Sequence, residues 1–228
     1  MNFFDGLICE VKDCLEGFEK KIYPYAEKWE DEGKNTLVLK RDEAFELEGI
    51  GFNLVTSEMI GESGVTVIGK DLGEITRETR VARISLIQMN DIADEQTAYD
   101  TIRKVEYLKY HYFPRGFMVR TFSSSNQESV RVTRKAIKDG ICFSKVGSLL
   151  IGKYLENPNV ISARIIYVTE PSADYEALSL IAKRNYEITE TLNSIMKNIP
   201  LDCSVCKLKP VCDEVEGMRE LHFKKRGM

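Results

Sequence analysis

Three cysteines near the carboxyl end, Cys203, Cys206 and Cys212, fall within ten positions in the stretch LDCSVCKLKPVCDEVEGMRELHF. A Cys-x2-Cys pair turns two sulfurs to one side of a short turn, so both thiolates reach one metal ion or cluster. Cys212 adds a third donor, and thiolate-rich sets suit iron–sulfur clusters or zinc. Lys207 and Lys209 beside them are expected to lower the thiol pKa values. Several groups compete for the fourth position. His222 would complete a Cys3His zinc site; Cys9, Cys14 or Cys142 could enter from elsewhere in the fold; or no protein side chain fills it. A dithiol redox pair fits less well, because no thioredoxin-like strand precedes it and Pro210 follows. Purely buried thiols sit badly among Asp202, Ser204, Asp213 and Glu214. Metal or cluster binding is the reading the spacing favours, and spacing does not separate iron–sulfur from zinc.

The rest of the chain must position that segment. At 228 residues and 43% hydrophobic composition it can bury a substantial core. A net charge of −4 argues against a nucleic-acid binder, which would carry a basic stripe. The amino-terminal MNFFDGLICEVKDC shows no basic leader, and no stretch approaches the roughly 20 apolar residues of a membrane span. The expectation is a cytoplasmic protein whose thiols stay reduced.

Hydrophobic periodicity supplies the elements. Leu7, Ile8, Val11, Leu15, Phe18 and Ile22 predict an opening amphipathic helix, followed by a solvated connection, AEKWEDEGKN. TLVLK (36–40), VTVIG (65–69) and RVARISLIQ (80–88) read as strands. Ala98, Ile102, Val105, Leu108 and Tyr112 mark a helix halted before Pro114. FMVRTF and SVRVT flank a polar loop as two further strands, and RKAIKDG reads as a helical turn. Ser144 offers an N-cap for KVGSLLIGKYLEN, VISARIIYVT is the last strand, and a long helix follows Pro171. The expected fold is α+β: a mixed sheet with helices packed on one face, then a long helix and a small cysteine module. Three segments follow: 1–44, an N-terminal helix and connection; 45–199, the α+β domain; and 200–228, the cysteine-rich module.

Two glycine motifs fail on physical grounds. GVTVIGKD matches the Gly-x4-Gly-Lys of a phosphate loop, but Val, Thr, Val and Ile favour a strand, and Asp71 stands where a metal-holding Ser or Thr belongs. GIGFNL has two of three dinucleotide-binding glycines and reads as a turn. With only His111 and His222 in the sequence, a Ser-His-Asp hydrolase is disfavoured.

Three stretches in order, FNLVTSEMIGESGVTVIGKDL, VRVTRKAIKDGICFSKVGSLLIGKYLENPNVISARIIYVTEP and AKRNYEITETLNSIMKNIPLDCSVCKLKPVC, resemble the acetyl-CoA synthase (beta) subunit of the carbon monoxide dehydrogenase/acetyl-CoA synthase complex. The resemblance runs from about residue 45 to 212, over that family's middle domain and the start of its metal-bearing domain. It implies that Cys203 and Cys206 begin the ligand set of an iron–sulfur cluster of the 4Fe–4S kind, with Cys212 as third ligand. It also implies an arginine-bearing surface for coenzyme A or another anion, here Arg115, Arg120, Arg131 and Arg134.

The family's nickel site uses a Cys-Gly-Cys, and no Cys-x-Cys occurs here. The expectation is therefore an accessory iron–sulfur protein of anaerobic one-carbon metabolism. It would transfer electrons, deliver cofactor or metal, or dock to a partner of the carbon monoxide dehydrogenase or corrinoid type. The rivals are a zinc-stabilised interaction module and a CO-methylating acyltransferase subunit completed by a partner chain.

Overall fold

The computed structural model describes residues 2–34, 44–122, 126–197, 203–215 and 217–226. The strand expected over 36–40 lies outside them. Helix α1 (Asp5–Cys14) buries Leu7, Ile8 and Val11 on one stripe. It stops well before Ile22, because Gly17 takes a left-handed φ of 83° and turns the chain. Ile22 instead lies in the short strand β1 (Lys21–Pro24), 63% exposed.

Strand β2 (Ala44–Thr56) runs straight through GIGFNL, correcting the turn reading. Its glycines bring neighbours close. A Cβ on Gly49 would lie 1.6 Å from the Val81 carbonyl oxygen, and one on Gly51 within 2.0 Å of the Glu128 carboxylate. Strands β3 (Gly64–Ile68) and β4 (Thr79–Met89) follow. Asp71, the residue that breaks the phosphate-loop pattern, caps the 3-10 turn Leu72–Glu74 and also accepts from the Phe143 amide at 2.8 Å.

Helix α2 (Glu95–Tyr107) starts on an Asp94 cap. Strands β5 (Phe117–Phe122) and β6 (Gln127–Thr133) form a hairpin leading into the short helix α3 (Arg134–Lys138). Helix α4 (Phe143–Leu155) has Cys142, not Ser144, at its N-cap. Strand β7 (Val160–Val168) and the 22-residue α5 (Tyr175–Met196) complete the main body.

The fold is α+β, a seven-stranded mixed sheet in the order β1-β3-β7-β4-β2-β6-β5 with helices packed around it. β2 pairs parallel with β4, and β3 with β7; the other neighbours are antiparallel. Every residue from Val81 to Ile87 is buried, so β4 needs cover on both faces rather than one. On one face α4 sets Phe143 on the Tyr167 ring, with centroids 4.3 Å apart. Phe52, Leu54 and Ile84 point to the opposite face, where α1, α2 and α5 meet β2. One continuous apolar core extends from Phe4 and Leu7 to Val211, Met218 and Leu221. Among the described residues no helix is long and apolar enough to cross a membrane.

The α4 face also buries a charge pair. Arg83 is 4% exposed and Glu128 3%. The guanidinium donates to the carboxylate through Nη2 at 2.6 Å and Nε at 3.1 Å, and through Nη1 to Asn53 Oδ1 at 3.0 Å and Ser85 Oγ at 2.7 Å. The Tyr154 hydroxyl donates to Asn53 Oδ1 at 2.9 Å. Burial opposes the charge on Arg83, but Glu128 outweighs it and holds the guanidinium firmly protonated.

Candidate metal-binding corner

The cysteine segment is carried on a helical cap beside α5. Cys203 to Val205 form a turn, and a second turn follows in which the Lys209 amide donates to the Cys206 carbonyl at 3.2 Å. Helix α6 (Lys209–Glu214) begins there, with Pro210 in its first turn, where a missing N–H costs nothing. It carries Cys212 and buries Val211. Gly217, at φ 78°, lets the chain reverse into α7 (Met218–Arg226). Met218, Leu221 and His222 are buried, and α5, α6 and α7 pack on one another. The apolar residues of the cap thus anchor it, while the thiols occupy its rim: Cys203 exposed, Cys206 and Cys212 half-buried.

The three thiols share one electrostatic neighbourhood. Burial pushes the Cys212 thiol pKa up, and Cys206, Cys203 and Asp213 raise it further. The expected lowering by Lys207 and Lys209 does not occur at Cys212. Three ionised sulfurs in a half-buried corner would repel one another, and a bound cation relieves that repulsion. The donor chemistry therefore suits a thiolate-ligated centre. The ligand geometry is not preset: among the described residues no three His, Cys, Asp or Glu side chains converge as they would around a metal ion, and His222 is not brought onto the thiols in that way.

The other cysteines stand apart in chain and role. Cys9 is exposed on α1; Cys14 ends α1, raised by burial and by Asp174. Cys142 caps α4, its sulfur 3.1 Å from the Ser144 hydroxyl.

The four arginines do not converge. Arg115 lies over the Trp29 ring and pairs with Glu30 at 2.9 Å. Arg131 pairs with Glu46 at 3.3 Å across the sheet, and Arg134 lies over the Phe45 ring at 5.0 Å. Arg120 stands exposed on β5, the outermost strand, opposite Ser129. Three of the four are thus engaged by carboxylates or aromatic rings.

Sequence reasoning passed over the buried network at Arg83. The signal available was a lone charge inside the apolar run RVARISLIQ, which a buried strand tolerates only with a partner. No protein-family model and no curated protein matches this chain.

Proposed function

We propose that this is a thiolate-ligated metal protein in which Cys203, Cys206 and Cys212 hold an iron–sulfur cluster of the 4Fe–4S kind. Its role is accessory and acetyl-CoA-synthase-like: passing electrons, or delivering metal or cofactor, to a partner of the carbon monoxide dehydrogenase or corrinoid type. The observation that supports the reading is that two soft donors, Cys206 and Cys203, lie close enough to the third, Cys212, to raise its thiol pKa. When bound, such a cluster supplies one-electron chemistry. The chain's own part is to hold and expose it. Val211, Met218 and Leu221 tie the cap to the core, while the exposed Cys203 turn leaves one side open to a partner.

A second reading has its own support. His222 is buried on α7, which packs against the α6 that carries Cys212, so a Cys3His zinc site would lock the cap as an interaction module. Purification without oxygen, followed by iron, sulfide, zinc and nickel determination and a visible spectrum, separates the two. The cluster reading expects iron and sulfide in near-equal amounts and a broad visible absorption, both lost in Cys206→Ala. One zinc per chain without colour, lost in His222→Ala, would replace it with the second reading. A protein that takes up neither under reconstitution refutes both.

A further inference from the structure

Away from the thiol corner, two neighbouring cavities share Lys109 and Tyr110 in their walls. The smaller, about 130 Å³, opens between α2 and α5; the larger, about 340 Å³, runs along the outer strand β5. The larger alone reaches the lower end of the range of small-molecule sites, roughly 300–1,000 Å³.

Each contains one group left without a partner. In the smaller cavity Asn185 is 1% exposed, and its Oδ1 accepts no hydrogen bond from the described residues. The neighbouring amides are already occupied. Asn126 Nδ2 donates to the Ala182 carbonyl at 2.8 Å, and Asn193 Oδ1 accepts from the Tyr99 hydroxyl at 2.8 Å. In the larger cavity the Arg120 guanidinium has no ion pair, hydrogen bond or ring contact among the described residues, unlike Arg115, Arg131 and Arg134. Tyr107 lines the smaller cavity and Tyr110 lines both; their rings stand 50% and 40% exposed, with centroids 6.2 Å apart and planes tilted by 51°, and Arg103 and Lys109 lie over one ring each.

A buried acceptor without a donor is costly to the free protein, and a ligand N–H would repay it. Exposed tyrosine rings suit a flat ring laid on them. The Arg120 guanidinium in the larger cavity suits a phosphate, which it can grip with two parallel hydrogen bonds. We propose that this double cavity binds a nucleoside phosphate. The base lies against Tyr107 and Tyr110 with an N–H to Asn185 Oδ1, and the phosphate reaches Arg120. The site uses none of the cysteines, so it stands or falls independently of the metal centre.

Titration calorimetry of the full chain with AMP, GMP, CMP and UMP, the matching nucleosides and inorganic pyrophosphate tests it. At least one nucleotide is expected to bind, with its nucleoside and pyrophosphate each at least about tenfold weaker. Arg120→Ala, at an exposed position, should weaken that nucleotide about 10- to 100-fold and leave the nucleoside unchanged. Asn185→Leu should abolish base discrimination; if it fails to fold, Arg120→Ala and the nucleoside comparison still decide. Absence of binding by all four nucleotides overturns the proposal. So does pyrophosphate binding as tightly as the nucleotide, or nucleotide binding that Arg120→Ala does not weaken.

Discussion

The Arg83–Glu128 pair and the Cys203–Cys206–Cys212 corner are both clusters of reactive side chains, yet the chain treats them in opposite ways. Around Arg83 every charged group has found its partners inside the protein. The guanidinium is shared among Glu128, Asn53 and Ser85, and the nearby atoms without a partner among the described residues, Asn53 Nδ2 and the Tyr167 hydroxyl, are neutral. At the corner Cys206, Cys203 and Asp213 all push the Cys212 thiol pKa up, so ionisation there meets like charge. A cluster saturated from within has nothing to offer a ligand and contributes to holding the fold. One that repels itself when ionised gains from a cation supplied from outside. Burial alone would have ranked the two sites the other way.

The largest effect should come from opening the saturated cluster. Glu128→Ala leaves Arg83 charged and buried without a counter-ion, a loss expected at about 3–5 kcal/mol. Chemical denaturation of the metal-free protein measures it. A loss below about 1 kcal/mol would mean that water reaches Arg83 and that the contrast with the corner is false.

Alkali gives a smaller and more selective probe. Burial pushes the phenol of Tyr154, next to Arg83, up to about 12, and that of Tyr175 up to about 12. Unfolded tyrosines ionise near 10, so the folded state keeps these protons longer than the unfolded chain does. The resulting stability is full below about pH 10 and is lost as pH rises toward about 12. Tyr154 alone accounts for roughly 2–3 kcal/mol. Tyrosinate absorbance should therefore rise in two stages, the exposed phenols first and the buried ones together with unfolding. A single stage near pH 10 with the fold intact would show that the network is open.

The same contrast explains what could be read from the sequence. The strands at 64–68, 79–89 and 160–168 and the long helix after Pro171 follow apolar periodicity that burial enforces directly. Strand β2 was hidden because Gly49 and Gly51 look like turn residues; their purpose, room for the Val81 carbonyl and the Glu128 carboxylate, exists only once strands far apart in sequence are paired. Likewise the helical spacing of Leu15, Phe18 and Ile22 runs on across Gly17, where the backbone turns away. The thiols were legible as donors by type and spacing. The rise in the Cys212 pKa was not, since it comes from burial and from the approach of Cys206 and Cys203 in three dimensions.

The smallest effect on stability belongs to the corner, and it sharpens the comparison most. Cys206→Ser keeps the size and polarity of a half-buried side chain and leaves the core contacts of Val211, Met218 and Leu221 untouched. In metal-free protein its stability should stay within about 0.5 kcal/mol of the parent. Reconstituted with iron and sulfide, the parent should gain stability and the variant should not, because a ligand bound only by the folded state adds its binding free energy to folding. Thermal melts of both proteins with and without reconstitution read this out. Equal gains in the two would place the bound metal elsewhere. A large loss in the metal-free variant would make Cys206 a packing residue, and the corner would then belong with Arg83 among the clusters that serve the fold.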